Sequence, residues 1–162
     1  MMYKGNVLLL AMAVCLVISV NAQQVISEKP SPGSLELISA NNNSVICYDV
    51  ADVDLVQRAA AWMQQDAEMV TGKKLSLTTA LPSSAKNIIV IGTIEKSSFI
   101  RQLIQQKKLN VDKVKGKWDA YMIQTIANPF KGINAALVIT GGNKRGVAYG
   151  VLELSKQMGV SP

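Results

Sequence analysis

The chain has 162 residues, a formal net charge of +6 at pH 7 and no histidine. Without histidine, neither Ser-His-Asp nor Cys-His catalysis can operate within the chain, and a zinc site of the usual Cys/His type is excluded. Only two cysteines are present, and one of them, Cys15, lies in the signal peptide described next. The single cysteine that remains cannot form a disulfide within the folded part.

Residues 1–22 are typical of a secretory signal peptide. Lys4 precedes an apolar run from Val7 to Val20, and Val20-Asn21-Ala22 places small residues before a cleavage site. This run is too short and wrongly flanked for a membrane anchor. We therefore expect a mature chain that begins at Gln23, is exported to the periplasm or the extracellular space, and has no membrane attachment after cleavage.

Residues 23–33 form a polar leader with two prolines, which we expect to be flexible or extended. Two short strands are predicted after it, at Ser34–Ser39 and Ser44–Val50, joined as a hairpin across residues 40–43. Cys47 lies in the second of these strands. A free cysteine in such a run is typically a small buried hydrophobe rather than a nucleophile.

Asp52–Val70 is predicted to be the first helix. Asp52 is interpreted as its N-cap, Asp54 lies near the positive end of the helix dipole, and Gly72 supplies the stop. The apolar positions form one continuous helical stripe. They are Val56, Ala59, Ala60, Met63, Ala67 and Val70.

Two strands and a helix are predicted next. Lys74–Ala80 alternates like a half-exposed strand, whereas Asn87–Thr93 is apolar without alternation, which is typical of a strand covered on both faces. A helix then begins near Ser97 or Ser98 and runs to about Lys108. Its buried side carries Phe99, Ile100, Leu103 and Ile104.

The last third of the chain predicts a basic connection, a strand pair and a helix. Leu109–Trp118 is irregular, and Ala120–Ala127 and Ala135–Thr140 are expected to pair. The final helix, Arg145–Met158, carries an apolar stripe. Its members are Val147, Val151, Leu154 and Met158.

The predicted order is therefore β-β-α-β-β-α-β-β-α, contained in one domain of residues 34–162. Because strands and helices alternate with hairpins among them, we expect an α/β fold of α+β character. It would have one mixed β-sheet layered with about three helices rather than a purely parallel sheet.

The glycine-rich turn after the last strand resembles a nucleotide-binding loop only in part. A dinucleotide fingerprint needs an acidic residue about 20 positions later, and the chain does not fill that position convincingly. Gly141 and Gly146 have the spacing of a phosphate-binding loop, but Val147 and Ala148 replace the lysine and hydroxyl residue that contact phosphate and magnesium. Both nucleotide-binding interpretations fail on these residues.

A packing interpretation fits the turn better. Gly141-Gly142 allows a tight reversal from strand to helix, and Gly146 and Gly150 lie on one helical face that can approach the sheet closely. Glycine costs about 1 kcal/mol relative to alanine inside a helix, so two of them imply a compensating contact. Lys144 and Arg145 are left to contact an anion or a neighbouring domain.

No catalytic, cofactor-binding or metal-binding residue is predicted. Asp49, Asp52 and Asp54 are explained by capping at the first helix, and the other acids are scattered among lysines, so nothing singles out an acid–base pair. Five lysines precede Trp118, an arrangement that can bind an acidic glycan but is more often a solvated loop. They are Lys107, Lys108, Lys113, Lys115 and Lys117.

Two segments carry a family resemblance together with the export signal. They are "IIVIGTIEKSSFIRQLIQQKKLNVDKVKGKW" (residues 88–118) and "DAYMIQTIANPFKGINAALVITGGNKRGVAYGVLELSKQMGVSP" (residues 119–162). They resemble the N-terminal region of glycoside hydrolase family 115, the xylan α-1,2-glucuronidases. The resemblance implies a small α/β domain like the one that precedes the catalytic barrel in β-hexosaminidase-type glycosidases.

The resemblance also implies a function for the parent enzyme. It would be an inverting hydrolase that removes glucuronic acid or its 4-O-methyl form from xylan, without a cofactor. Family members continue past Gly-Val-Ser-Pro into a (β/α)8 barrel with the catalytic carboxylates, so no catalytic residue carries over to this chain. The expected partners are that missing barrel and, through the parent enzyme, an acidic xylan-type polysaccharide, and not nucleic acid.

Whether this chain is itself an enzyme is left open by the sequence, and a second function stays beside the first. The chain can be read as a fragment of such an enzyme or as a free-standing exported module that binds acidic polysaccharide. The second interpretation depends on the basic stretch before Trp118 and on Lys144 and Arg145. We also expect the apolar strands Ile88–Ile91 and Ala136–Ile139 to need some cover from outside this chain.

Overall fold

A computed structural model describes residues 26–27, 29, 31–32, 34–40 and 44–160. The predicted signal peptide and the predicted cleavage site lie outside the described residues, as does most of the predicted leader. Within these described residues, eight elements follow one another: β1 (Val45–Tyr48), α1 (Asp54–Thr71), β2 (Ser76–Thr78), β3 (Asn87–Thr93), α2 (Ser98–Gln105), β4 (Tyr121–Ala127), β5 (Ala135–Gly141) and α3 (Lys144–Gln157).

The five strands form one mixed sheet in the order β2-β1-β3-β5-β4. Neighbours pair in parallel from β2 to β5, with Ile89 opposite Leu137 in the centre, whereas β4 pairs antiparallel with β5 as a hairpin. The predicted α/β fold, a mixed sheet with about three helices, is confirmed. The sheet ends at β4, which is therefore an edge strand.

The continuous apolar runs of β3 and β5 are explained by layers on both sides of the sheet. Ile89 and Ile91 face a core shared with α1 and α3, whereas Ile88 and Val90 face a second core shared with α2. All four side chains are fully buried, and each such isoleucine or valine contributes about 1.5–3 kcal/mol of transfer free energy.

The chain itself covers both faces of the sheet, contrary to our expectation. Ile88–Ile91 and Ala136–Ile139 are between 0% and 3% exposed without any contribution from another domain. The second face is covered by α2 and by the irregular stretch Leu109–Trp118. That stretch inserts Leu109, Val111 and Val114 into the core and leaves its lysines exposed.

The helix α1 follows the predicted stripe, except at its ends. The stripe from Val56 to Ala67 is buried, and Gly72 ends the helix in the left-handed conformation at φ 70°. Val70, however, is 49% exposed. The N-cap is Val53, which makes no side-chain cap, so the prediction that Asp52 caps this helix is wrong.

The carboxylate of Asp52 instead joins the start of α1 to the end of β3. Its Oδ2 accepts a hydrogen bond from the Thr93 N–H at 2.7 Å, and its Oδ1 accepts one from the Thr93 hydroxyl at 2.9 Å. The same Oδ1 accepts from the Val53 N–H at 2.9 Å. Hydrogen bonds to a carboxylate are about twice as strong as those between neutral groups, and the two bonds to Thr93 cross between two elements.

The predicted first strand is also wrong. Ser34–Ser39 makes a single bridge at Ile38 and does not form a hairpin with β1, which pairs with β2 and β3 instead. Leu35, Leu37 and Ile38 pack on the core of α1 and α3. The segment is held by its carbonyls, which accept hydrogen bonds from distant residues: Glu36 O from Asn87, Leu37 O from Ser44, and Ser39 O from Lys73.

Candidate functional site

The turn between β5 and α3 is the feature that the sequence analysis singled out, and it begins with a helix cap. Asn143 is the N-cap of α3, and its Oδ1 accepts a hydrogen bond from the Gly146 N–H at 2.8 Å. Its Nδ2 donates to Asp119 Oδ1 at 3.4 Å. The sequence analysis missed this cap, although an asparagine directly before a helix is a recognised signal.

Gly141 and Gly142 lie where the turn contacts other backbone. A Cβ on Gly141 would lie 2.6 Å from the Val147 nitrogen, and a Cβ on Gly142 would lie 2.5 Å from the carbonyl oxygens of both Val114 and Lys117. Two carbonyl oxygens at this point present negative partial charge where a phosphate cradle presents N–H groups. The geometry supports the packing interpretation of the turn over a phosphate site.

Gly146 and Gly150 lie where α3 is closest to the strand end of β4. A Cβ on Gly146 would clash with the carbonyl oxygen of Ala120. A Cβ on Gly150 would lie 2.8 Å from Cγ2 of Ile139 and 3.3 Å from Cβ of Tyr121. These approaches are the close contacts that two glycines in one helix imply.

Arg145, which we expected to contact an anion or another domain, has partners within the chain. Its Nη2 lies 3.1 Å from Asp119 Oδ2 and donates to the Tyr149 hydroxyl at 3.0 Å. The hydrogen bond with Tyr149 and the charge of Asp119 raise the pKa of Arg145 above its ordinary value. Lys144, the neighbouring cation, is exposed.

Three exposed aromatic residues belong to the segments that this ion pair joins. Trp118 directly precedes Asp119, Tyr121 lies against α3 at Gly150, and Tyr149 is bonded to Arg145. Trp118 is 82% exposed, Tyr121 is 38% exposed and Tyr149 is 41% exposed. The guanidinium carbon of Arg145 lies 5.8 Å from the centre of the Tyr149 ring. We call Trp118, Tyr121 and Tyr149 the aromatic surface. Only Trp118 was singled out from the sequence, because Tyr121 falls within a predicted strand and Tyr149 lies in a helix distant in sequence.

The carboxylates nearest the strand ends are engaged in structural contacts. Asp52 binds Thr93, Asp119 binds Arg145, and Glu153 accepts a hydrogen bond from Gln157. Burial alone would raise the pKa of Asp49, but hydrogen bonds from Ser98 and Ala51 and the charge of Arg101 outweigh it, so its pKa lies below the usual value. Asp49, Asp52 and Asp119 thus join separate segments and Glu153 is bonded within α3, so these four acids do not form an acid–base pair around a shared cleft.

Cys47 is buried in the sheet, as the sequence indicated. It is fully inaccessible, and its thiol donates to the carbonyl of Val45 at 3.8 Å. Burial raises the pKa of the Cys47 thiol to about 12. A thiol with that pKa is not a nucleophile at neutral pH, because the thiolate is the reactive form.

A cleft of about 930 Å³ lies between the segment 26–38, α1 and the end of α3. Among its described lining residues, Lys29 and Glu36 carry charge and the rest are apolar or neutral. One carboxylate cannot supply both the acid and the base of glycoside hydrolysis. Elsewhere in the described residues, no group of three or more metal-ligating side chains comes together, and no helix is long and apolar enough to cross a membrane.

Comparison with known proteins identifies a family. The model of the glycosyl hydrolase family 67 N-terminus matches residues 36–154. Among solved structures, the chain is similar to a family GH115 4-O-methyl-α-glucuronidase with specificity for decorated arabinogalactans, at 26% identity and a TM-score of 0.57. That similarity covers 74% of this chain and 14% of the enzyme. No curated protein matches the chain.

The two findings confirm the expected class of domain, an N-terminal domain of a glycoside hydrolase. The sequence resemblance was to family 115, to which the similar structure belongs, whereas the matching family model is that of family 67. Because that model covers most of the domain that the structure describes, the chain belongs to the family of glycosyl hydrolase family 67 N-terminal domains.

Proposed function

We propose that this chain is the non-catalytic N-terminal domain of an exported α-glucuronidase-like glycoside hydrolase that acts on glucuronoxylan. The observation that carries the proposal is the match of residues 36–154 to the N-terminal domain of family 67. The similarity to a 4-O-methyl-α-glucuronidase supports the glucuronidase class. The choice of xylan rests on the sequence resemblance of residues 88–162 to the xylan enzymes of family 115.

The geometry of the acids supports a non-catalytic role. Glycoside hydrolysis by inversion needs two carboxyl groups separated by enough space for a water molecule and the sugar. In this domain Asp52 and Asp119 are each held by a partner on another element. Their hydrogen bonds would have to break before either could serve a substrate.

The first test measures release of uronic acid. The purified chain is incubated with glucuronoxylan and, separately, with a glucuronic acid-decorated arabinogalactan, and the liberated uronic acid is quantified. We expect no release above the blank from either polysaccharide. Release by the pure chain, free of contaminating enzyme, would contradict the non-catalytic role.

The second test concerns the parent enzyme. An antibody raised against residues 34–160 is used to isolate the native polypeptide from the source cells and their medium. We expect a polypeptide much larger than 17.4 kDa, found in the exported fraction, that releases 4-O-methylglucuronic acid from glucuronoxylan. A large polypeptide that acts only on arabinogalactan would overturn the xylan part, and one without glucuronidase activity would overturn the proposal.

A further inference from the structure

The turn that carries Trp118 is held against the start of α3 by the contacts of Asp119. Asp119 follows Trp118 directly and has a positive φ of 55°, which is unusual for a residue other than glycine. The ion pair with Arg145 and the hydrogen bond from Asn143 hold Asp119 in that conformation. The backbone that carries Trp118 is therefore fixed, while its side chain is 82% exposed to solvent.

The two tyrosines lie against the same turn. The absence of a side chain at Gly150 lets Tyr121 approach α3, and Tyr149 is the preceding residue on that helix. The hydroxyl of Tyr149 is bonded to Arg145, which is in turn paired with Asp119 beside Trp118. Tyr149 is thus bonded to the ion pair directly, whereas Trp118 and Tyr121 are placed near it by the backbone on either side of Asp119 and by the packing at Gly150.

Exposed cations border the aromatic surface. The carbonyls of Val114 and Lys117 contact Gly142, which places the stretch from Lys115 to Lys117 beside the start of α3. Lys144 lies in the first turn of that helix, and Lys115, Lys117 and Lys144 are all exposed. The surface therefore combines apolar ring faces with positive charge, in a chain whose formal net charge is +6.

This combination fits a polysaccharide that carries carboxylates. The C–H faces of sugar rings pack against aromatic rings, and a lysine ammonium binds a carboxylate. A protein partner fits less well, because protein interfaces are depleted in lysine, and Lys115, Lys117 and Lys144 are all exposed beside these residues.

We infer that the surface formed by Trp118, Tyr121 and Tyr149 with Lys117 and Lys144 binds a uronate-bearing polysaccharide chain. The inference rests on the proposed function for the choice of glucuronoxylan as the polysaccharide. The domain then holds the substrate of its parent enzyme at a distance from the catalytic carboxylates.

The two tryptophans allow a direct test in the whole chain. The chain has two tryptophans, Trp62 and Trp118, and Trp62 lies on the exposed side of α1 at 38% exposure. In the Trp62→Phe variant, fluorescence reports on Trp118 alone, whereas the Trp118→Phe variant reports on Trp62. Each variant is titrated with glucuronoxylan and with the same xylan after its uronic acids have been removed.

We expect glucuronoxylan to produce a saturable fluorescence change in Trp62→Phe and none in Trp118→Phe. Trp118→Ala should weaken binding about tenfold or more, as the loss of a central aromatic residue does in other binding surfaces, whereas the matched control Trp62→Ala should not change it. The double variant Lys117→Ala/Lys144→Ala should bind glucuronoxylan as weakly as wild type binds the uronate-free xylan. Circular dichroism verifies that each variant is folded.

Three outcomes would overturn the inference. They are the absence of a saturable change with glucuronoxylan, equal affinity for the uronate-free xylan, and equal losses in Trp118→Ala and Trp62→Ala. Self-association that depends on Trp118, without polysaccharide binding, would instead indicate a protein interface. If the surface fails to bind while the native polypeptide is an active glucuronidase, the inference is wrong and the proposed function stands. If the surface binds but the native polypeptide has no glucuronidase activity, the proposed function is wrong and the binding surface stands.

Discussion

Gly146 lies where α3 contacts the backbone just before β4, and it shows what the sequence could predict at the scale of a residue. The spacing of Gly146 and Gly150 predicted a close helix-to-sheet approach. It could not predict the contacted group, which is the Ala120 carbonyl for the first and the side chains of Ile139 and Tyr121 for the second. Those partners are set by the register of β4 and β5, and not by any local pattern.

Replacement of Gly146 by alanine tests the packing role of the turn. Alanine is favoured over glycine by about 1 kcal/mol in a helix, so the substitution would stabilise the protein if space were available. Because the new Cβ meets backbone that cannot move alone, we expect Gly146→Ala to lower the free energy of unfolding by about 1–3 kcal/mol. Urea denaturation measures it.

Gly150→Ala is the matched comparison in the same helix. Its Cβ would meet side chains, which can shift, so we expect a smaller loss than for Gly146→Ala. An increase in stability for Gly146→Ala would contradict the packing role of the turn.

Cys47 provides a prediction on pH. The thiol of the unfolded chain ionises near the ordinary cysteine pKa of 9.0, whereas burial in the folded protein raises the pKa to about 12. The unfolded state therefore loses the proton first, and the contribution of Cys47 to stability falls as pH rises between those two values. Comparison of unfolding free energies for wild type and Cys47→Ala across this range isolates the effect, which should be present only in wild type.

The reactivity of the same thiol gives a second readout. In a Cys15→Ser background, a thiol reagent at about pH 7.5, well below the pKa of the buried thiol, should label Cys47 only after unfolding in urea. Fast labelling of the native protein would mean that the thiol is accessible, contrary to its complete burial.

At the scale of elements, the periodic helices and the apolar strands were predictable, whereas the first strand was not. β3 agrees with its predicted bounds, because a continuous apolar run bounded by polar residues permits few alternatives. Ser34–Ser39 alternates like a strand, but its apolar side chains pack on a core edge while its carbonyls bind side chains and the Ser44 N–H. Alternation alone does not distinguish these two arrangements.

The bonds from Asp52 to Thr93 predict a large effect of one substitution between elements. Thr93 is only 5% exposed. Asp52→Ala leaves its N–H and its hydroxyl without their charged acceptor. We expect a loss of about 1.5–3 kcal/mol in the free energy of unfolding, the range for hydrogen bonds to charged groups.

The matched control is Asp54→Ala, in the exposed first turn of α1. Removal of its charge should cost no more than about 1 kcal/mol, because only a helix-dipole interaction is lost. Equal effects of the two substitutions in thermal or urea denaturation would show that Asp52 acts as an ordinary helix-end charge.

At the scale of the whole molecule, the class of fold followed from the order of the elements, but the strand order did not. The sequence predicted a mixed sheet, and β4–β5 is the hairpin that it indicated. The insertion of β1 between β2 and β3 joins residues that are distant in sequence. The aromatic surface was missed for the same reason, since the segment of Trp118 and the helix of Tyr149 are joined only by the Asp119–Arg145 ion pair, between residues distant in sequence.

Export gives a prediction for the complete polypeptide. If residues 1–22 are a signal peptide, expression in a secretion-competent host should yield a product whose first residue is Gln23, as determined by N-terminal sequencing. A control with Ala22→Leu, which removes the small residue before the cleavage site, should accumulate uncleaved chain. An intact Met1 on the exported wild-type protein would contradict the expected leader.

The uncharged composition of β4 has a consequence for how the protein behaves in concentrated solution. The strand, YMIQTIA, carries no lysine, glutamate or proline along the boundary of the sheet. Natural proteins use such residues to discourage a second polypeptide from adding its own backbone to an open row of N–H and C=O groups. Tyr121–Ala127 lacks that protection and, with seven residues against three in β2 at the opposite edge, offers the longer open row for extension by a foreign strand and for the growth of aggregates.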